Sequence, residues 1–414
     1  MYRTADGDTI YKEVIMKDEH RLYIQMLRAF VNGSAPDLGE NPDLQKLMEF
    51  AAINNTRGML GYVIMSNPTL FPKEFVGLMR HMCLNEITIY AQRAGYMDDQ
   101  VRRMNEAGID HLLFKGYVVR NYYPVPELRT YGDVDFVIRT TDREKSNRLM
   151  LDQGFEPHYD WEPVYDYTRG VEYYEIHTDV MEIDVSDKAD FVGYYSHIWD
   201  HVFRPDPEGM PHTYQFTPEF HLIYLLTHIA KHISSSGAGI RMYLDIAFYL
   251  KHFDGQLDWD WIRSQCEILH FEDFANLTFT AVEQWFGVPS PIPLRPISEE
   301  TLDDFLTFTL EGGLFGRANK DEATIMLKKQ DRSDDQEVSK TRTLLFHIFP
   351  PVASLKFRYP FLDKHPWLLP WAWLRRILDN RSSWGRYLDS TKAIVGADTD
   401  EALRLKKLYK EIGL

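Results

Sequence analysis

The sequence predicts an α+β fold, with a small mixed β-sheet embedded in mostly helical N- and C-terminal regions. Apolar residues recur at helical spacing over residues 10–108, and short runs rich in Val, Ile, Phe and Tyr follow in residues 109–205. Residues 141–144 form a capping-box pattern, and Gly154 is a typical helix C-cap, so we expect a helix between two of the strands. Pro218 then occupies the first position of a further helix.

Turn and linker signals divide the chain into four predicted regions. Residues 1–108 form a helical N-terminal region, and residues 109–205 form the α/β core. Several prolines after residue 204 mark a linker that leads into a helical region over residues 206–300. Residues 301–414 complete a helical and aromatic C-terminal region. The prolines of its aromatic, basic tract, residues 346–376, favour packing against the core over lying on a membrane surface.

Composition narrows the class of protein. The hydrophobic fraction of 44% and the aromatic fraction of 14% exclude a disordered chain. A net charge of -16 argues against indiscriminate binding of nucleic-acid backbones, which depends on Lys and Arg. Cys83 and Cys266 supply neither a disulfide framework nor a zinc cluster, which fits a reducing compartment. Because we find no signal-peptide core and no apolar run long enough for a membrane span, we expect a cytoplasmic protein.

The most informative motif is the pair Asp133 and Asp135 within an apolar run. Side chains two residues apart on a strand point to the same face, so both carboxylates can reach one divalent cation. Spacing alone is weak evidence. With 62 acidic residues in 414, roughly nine such pairs arise by chance. The alternative is a solvated strand end that carries two exposed acids.

The residues that precede this pair favour a phosphate site. The apolar run of residues 112–114 stops at Lys115 and Gly116, where a cation stands beside a residue without a side chain. An anionic group can then approach the backbone closely. A loop that contains Arg129 connects this element to the carboxylates.

A third carboxylate is available in residues 171–185, a stretch rich in Tyr, Val and Ile that predicts one or two further strands. Glu175 is the preferred candidate, and Glu182 or Asp184 are the alternatives. Three carboxylates from adjacent strands would bind two Mg²⁺ ions, or Mn²⁺ ions, roughly 3.5 to 4 Å apart. That arrangement activates a hydroxyl and neutralises a leaving pyrophosphate.

Several segments occur in an informative order over about residues 100–378. They read LLFKGYVVRNYYPVPELRTYGDVDFVI, YYEIHTDVM, YYSHIWDHVF, THIAKH followed by GAGIRMYLDIAFYL, and RTLLFHIFPPVASLKFRYPFLDKHPWLLP. This order resembles that of bacterial nucleotidyltransferase-family proteins in the DNA polymerase beta-like superfamily. The resemblance implies transfer of a nucleoside monophosphate from an NTP to a hydroxyl acceptor, which is a sugar, a small molecule or a protein. It names neither the base nor the acceptor.

The resemblance also assigns roles by position. The implied metal ligands and catalytic carboxylates are Asp133, Asp135 and Glu175, the last also a candidate proton acceptor. The implied nucleotide and phosphate contacts are Lys115, Gly116, Arg129, Lys231 and Arg241. Gly132 departs from the pattern, because the superfamily more often has a small polar residue such as serine there. The spacing from Gly116 to Asp133 is also longer than in many relatives.

Two other functions remain open at this stage. The first is a protein of the same fold that binds nucleotide as a scaffold without turnover. His228 and His232, four residues apart on one helix, would suit the zinc site of a hydrolase, but the glutamate of the H-E-x-x-H pattern is missing between them. On the next helix, Arg241 and Asp245 have the same spacing and are expected either to form an ion pair or to leave Arg241 for a phosphate.

Overall fold

The fold is described by a computed structural model. It covers residues 18–161, 163–181, 185–186, 188–235, 237–313, 340–355, 359, 361–379, 391–392, 394–396, 407–411 and 413. Over these residues, helices surround one mixed β-sheet, which confirms the predicted α+β class. The alternative third acids Glu182 and Asp184 lie outside the described residues.

Helices precede the sheet, as the apolar spacing predicted. The side chain of Asp43 accepts a hydrogen bond from the backbone N–H of Lys46 and so begins the second of these helices. The helices are α1 (Asp18–Asn32), α2 (Leu44–Ile53), α3 (Arg57–Ser66) and α4 (Lys73–Glu106).

The strands form a seven-stranded sheet in the order β3-β4-β5-β2-β1-β7-β6. β2 pairs with β5 in parallel, as does β1 with β7, and the other neighbours are antiparallel. The strands are β1 (His111–Leu113), β2 (Val134–Ile138), β3 (Glu156–Trp161), β4 (Val164–Arg169), β5 (Glu172–His177), β6 (Val202–Phe203) and β7 (Thr213–Phe216).

Helices also lie between and after the strands. They are α5 (Lys115–Val119), α6 (Arg143–Asp152), α7 (Phe191–Tyr195), α8 (Pro218–Ser235), α9 (Ile240–His252), α10 (Trp259–Ile268), α11 (Glu272–Phe286), α12 (Glu299–Glu311), α13 (Lys340–Ile348), α14 (Val352–Leu355), α15 (Phe361–Lys364) and α16 (Leu369–Asp379). No helix among the described residues is both long enough and apolar enough to cross a membrane.

Helix α6 was predicted with a capping box, and that detail is wrong. The helix begins at Arg143, but the side chain of Asp142 makes no capping hydrogen bond to the described part of the chain. The predicted end is correct, because Gly154 follows the helix with φ 79°, in the left-handed region that glycine tolerates best.

Side chains alternate between the two faces of β2 and β5, so that one face is apolar and the other is polar. Val134, Phe136 and Ile138 of β2 are buried in one hydrophobic cluster, together with Tyr174 and Ile176 of β5. The intervening residues of both strands therefore point to the opposite face.

A larger hydrophobic cluster covers that opposite face. It includes Val137 of β2 and Leu225 and Leu226 of α8, and it extends through α1, α3, α9, α11 and α12. The polar side chains of β2 and β5 therefore face the helical part of the molecule. The division of the chain into four regions stays a prediction.

Candidate active site

Asp135 and Glu175 lie side by side on β2 and β5. The parallel register pairs Asp135 with Glu175, and Val137 with His177. The imidazole Nε2 of His177 lies 3.0 Å from Asp135 Oδ1 and 3.5 Å from Glu175 Oε2. One ligand atom from each of these three side chains lies within 4.8 Å of the other two. Two carboxylates and an imidazole thus converge at one point on the sheet.

Asp133 lies directly before β2, and its expected position inside the strand is wrong, because the strand begins at Val134. The residue is exposed, yet its side chain lines the same cleft as Asp135 and Glu175. Loss of solvation within the cleft raises the pKa of Asp133, and the charges of Asp135 and Glu175 raise it further. The three carboxylates therefore repel one another in the cleft, and this excess of negative charge favours a bound cation.

Two basic side chains contact Asp135. Lys115 Nζ donates a hydrogen bond of 2.8 Å to Asp135 Oδ1, the same oxygen that His177 approaches. Burial opposes ionisation of Asp135, but the Lys115 charge and the His177 hydrogen bond outweigh it and hold the pKa of Asp135 well below its usual range. For His177, burial lowers the pKa, but hydrogen bonds to both carboxylates outweigh burial and raise it.

Lys115 is the first residue of α5, and its backbone is strained at the turn that follows β1. Its φ of 52° lies in the left-handed region, which residues other than glycine rarely adopt. Its backbone N–H donates a 3.2 Å hydrogen bond to Nε2 of His221 on α8. A ring nitrogen that accepts a hydrogen bond must be unprotonated, and burial lowers the pKa of His221 to about 3. A neutral, buried histidine thus supports the turn that directs Lys115 towards Asp135.

A glycine is required at position 116 because another side chain of the protein lies too close for a Cβ atom. A Cβ atom at this position would overlap the guanidinium of Arg129. The expectation that Gly116 lets an anion approach the backbone stays a prediction, and the Arg129 guanidinium is what lies beside the glycine here. Gly132 differs, because a Cβ atom there would meet nothing within 4 Å among the described residues.

Arg129 forms a buried, bidentate ion pair with Asp245 of α9. Arg129 Nε lies 3.1 Å from Asp245 Oδ1, and Nη2 lies 2.6 Å from Oδ2. The side chains are 12% and 6% exposed, and the Tyr123 hydroxyl donates a further 2.7 Å hydrogen bond to Asp245 Oδ1. Asp245 therefore pairs with a distant loop residue, so that of the two alternatives for Arg241 and Asp245 the ion pair is wrong.

Arg241 lies beside this pair but bonds to neutral oxygens. Its Nη1 donates to the carbonyl oxygen and to the hydroxyl of Thr130. Its buried Nε has no hydrogen-bond partner among the described residues. Burial lowers the pKa of Arg241 to about 10, and the charge of Arg129 contributes to the shift. The guanidinium stays charged at neutral pH and borders the cleft.

The histidines of α8 do not form a recognisable zinc site. The His228 and His232 rings lie 4.5 Å apart, edge to face, and His228 also stacks on Tyr224. Among the described residues, neither belongs to a group of three or more potential metal ligands. The hydrolase alternative therefore receives no support from this geometry.

All of the predicted site residues line one cleft of about 380 Å³. Acidic and basic side chains line this cleft together. The predicted residues brought together here are Lys115, Gly116, Arg129, Asp133, Asp135, Glu175, Lys231 and Arg241.

Sequence reasoning left three residues out of the predicted site. His177 was detectable, because it lies two residues after Glu175 and so shares its strand face. His221 and Asp245 contact Lys115 and Arg129, which are more than 100 residues away in the chain. No local pattern marks such tertiary partners.

The donor set fits a divalent cation. Carboxylate oxygens are the ligands that Mg²⁺ and Mn²⁺ prefer, and an imidazole nitrogen is a common ligand of transition ions. Asp135, Glu175 and His177 present such atoms within binding distance of one another, and Asp133 lies at the same cleft. These residues would hold the ion that the sequence predicts.

Comparison with known proteins identifies one family. A family model described as an uncharacterised nucleotidyltransferase matches residues 40–287, which is more than half of the chain. No curated protein matches the chain, and no solved structure matches it. The match includes every residue that lines the cleft.

Proposed function

The chain belongs to the family of uncharacterised nucleotidyltransferases, and from that premise we propose that it moves a nucleoside monophosphate from an NTP to a hydroxyl acceptor in a metal-dependent reaction. We also propose that it lies in the polymerase beta-like superfamily, as the order of its motifs implies. The observation that carries the proposal is the convergence of Asp133, Asp135 and Glu175 on a cleft bordered by Lys115. Acidic ligands and a basic phosphate contact are the two requirements of this chemistry.

In this proposal the carboxylates bind the metal ions and orient the reacting groups. Asp133, Asp135 and Glu175 would hold two Mg²⁺ or Mn²⁺ ions, and such ions would supply a lower pKa for the attacking hydroxyl and a counter-charge for the triphosphate. Glu175 also accepts the proton of that hydroxyl. It suits this role because, unlike Asp135, it makes no direct ion pair with Lys115.

The basic residues bind the triphosphate. Lys115, which pairs with Asp135, would bind the phosphate oxygens, and a metal ion held by the carboxylates would supply the counter-charge for Asp135 in its place. Arg241 and Lys231 contact the phosphates from the helical side of the cleft. Arg129 contributes its positive charge rather than a free donor, because Asp245 engages Nε and Nη2 of its guanidinium and Nη1 donates to the carbonyl oxygen of Thr130.

The proposed acceptor is a hydroxyl of a sugar, a small molecule or a protein. A net charge of -16 argues against indiscriminate binding of long nucleic acids, which depends on Lys and Arg. A cleft of about 380 Å³ lies in the size range of small-molecule sites. We therefore propose no bulk nucleic-acid partner.

A scaffold that binds nucleotide without turnover is the second candidate. Asp135 already carries two basic partners, Lys115 and His177, so its charge is neutralised without a metal ion. If that arrangement persists with nucleotide bound, the protein binds the triphosphate but does not transfer it.

One assay separates the two candidates. Full-length protein is incubated with labelled ATP, GTP, CTP or UTP and with Mg²⁺ or Mn²⁺, and both pyrophosphate release and labelled products are measured. The proposal expects metal-dependent release that Asp133→Ala abolishes. Nucleotide binding without release, unchanged by Asp135→Ala, would instead establish the scaffold.

A further inference from the structure

We infer that His177 is itself a metal ligand, and that its imidazole makes the site prefer a first-row transition ion, such as Mn²⁺, to Mg²⁺. The inference rests on the proposed function and adds a nitrogen donor to the carboxylate ligands. It also selects between the two ions that the sequence left open.

The geometry of the donor atoms supports this assignment. Ligands of one divalent ion lie roughly 3 to 4 Å apart, because each stands about 2.1 Å from the metal. Nε2 of His177 lies 3.0 Å from Asp135 Oδ1 and 3.5 Å from Glu175 Oε2. Nε2 thus already lies at the separation of a neighbouring ligand from each carboxylate oxygen, and the three donor groups lie within 4.8 Å of one another.

The backbone fixes the imidazole in that position. Glu175 and His177 are alternate residues of β5, so they share a face, and the register sets both beside Asp135. The His177 side chain is only 11% exposed, which limits its alternatives. Among the described residues, this is the one group of three or more side chains able to hold a metal ion.

The chemistry of the donors then determines the preferred ion. Mg²⁺ favours oxygen ligands and binds imidazole poorly, whereas first-row transition ions accept nitrogen readily. A site with two carboxylates and one imidazole therefore discriminates against Mg²⁺ more strongly than a site with three carboxylates.

The simpler alternative is that His177 only orients Asp135 by a hydrogen bond and never touches the metal. Both arrangements predict a loss of activity on substitution, so activity cannot distinguish them. A spectroscopic signal from a metal-bound nitrogen can.

The experiment uses the full chain and Mn²⁺ alone as the probe. Electron spin echo modulation detects a ¹⁴N nucleus bound to Mn²⁺, and competition titration measures the affinities for Mn²⁺ and Mg²⁺. We expect ¹⁴N modulation in the wild type and its loss in His177→Gln. We also expect Mn²⁺ affinity to exceed Mg²⁺ affinity by at least about tenfold, and most of that difference to vanish in the variant.

Two controls keep the result interpretable. His228→Gln removes a histidine that lines the same cleft outside the cluster, so it should retain the modulation. Protein labelled with ¹⁵N-histidine should lose the ¹⁴N signal without any substitution, which tests the assignment even if His177→Gln fails to fold.

The outcomes separate this inference from the proposed function. Tight Mn²⁺ binding without nitrogen modulation overturns the ligand assignment and leaves nucleotidyl transfer intact. Loss of the modulation in His228→Gln and its persistence in His177→Gln also overturn it. Nitrogen modulation in a protein that releases no pyrophosphate with any NTP supports the ligand assignment and overturns the proposed function.

Discussion

Two groups of charged residues in the cleft are built in opposite ways. We call Asp133, Asp135 and Glu175 the carboxylate wall, and Arg129, Arg241 and Asp245 the arginine wall. The carboxylate wall comes from neighbouring positions in the chain or in the sheet, because Asp133 lies directly before β2 and Asp135 is paired with Glu175 of β5. Asp133 and Glu175 add negative charge beside Asp135. The arginine wall comes from distant segments, and Asp245 there pairs with Arg129 through two hydrogen bonds. The comparison teaches that the carboxylate wall is arranged to receive a cation, whereas on the arginine wall Asp245 occupies Arg129 and Arg241 donates to neutral oxygens of Thr130.

Substitution of Asp135 should have the largest effect, because it removes the central ligand of the carboxylate wall. We expect Asp135→Asn to reduce nucleotidyl transfer by about three orders of magnitude, since a metal ion provides several kcal/mol of transition-state stabilisation. Pyrophosphate release at saturating Mn²⁺ measures the effect, with circular dichroism as the check on folding. A loss of less than tenfold would show that the carboxylate wall is not the metal site.

Disruption of the buried ion pair should destabilise the arginine wall. We expect Asp245→Ala to lower the free energy of unfolding by about 3 to 5 kcal/mol, because Arg129 is left buried without its partner. Urea denaturation provides the measurement. The double variant Asp245→Leu with Arg129→Met is the control, and it should recover much of the loss because no unpaired charge remains. A single variant as stable as the wild type contradicts this account of Arg129.

The two glycines beside the cleft offer a matched pair of smaller changes. Gly116→Ala should cost about 1 to 3 kcal/mol of stability, because its Cβ overlaps the guanidinium of Arg129. Gly132→Ala places its Cβ in open space and should change stability by less than about 0.5 kcal/mol. Thermal unfolding of both variants tests the difference. Equal effects would mean that Arg129 does not hold the position described here.

A buried acid near Arg241 gives the smallest expected effect. Burial raises the pKa of Glu86, on α4, to about 7. The unfolded chain ionises near pH 4.5, so the folded state binds more protons between these values and loses stability as the pH rises through them. We expect Glu86→Gln to raise the free energy of unfolding by about 1 to 2 kcal/mol above pH 7.

The pH profile provides the check on Glu86. The gain in stability of Glu86→Gln over the wild type should shrink towards zero as the pH falls from 7 to 4.5, because both side chains are then neutral. Urea denaturation at pH 5 and pH 8 measures it. A gain that is constant with pH would show that Glu86 is not the titrating group.

The placement of Asp135 and Glu175 on strands follows from local rules, and their catalytic role stays a prediction. Alternation along a strand places Glu175 and His177 on one face, and the apolar runs reveal where the strands lie. The α+β class and the helix that begins at Pro218 follow from similarly local patterns.

The arginine wall could not be predicted, because it depends on contacts between distant segments. The spacing of Arg241 and Asp245 on one helix made an ion pair between them one of two alternatives. The fold instead brings Arg129 to Asp245 from a loop 116 residues earlier. A buried, bidentate ion pair is stronger than an ion pair between neighbours one turn apart on a helix, so Asp245 binds Arg129. Gly116 was noticed for its missing side chain, yet only the structure reveals that Arg129 fills the space.

A crystal structure with Mn²⁺ and a non-hydrolysable NTP analogue would test the central claim most directly. Anomalous scattering locates the Mn²⁺ ions independently of the nucleotide. Our account predicts Mn²⁺ peaks within coordination distance of Asp133, Asp135 and Glu175, with the triphosphate beside Lys115. Mn²⁺ peaks elsewhere, or a triphosphate bound outside the cleft, would contradict it.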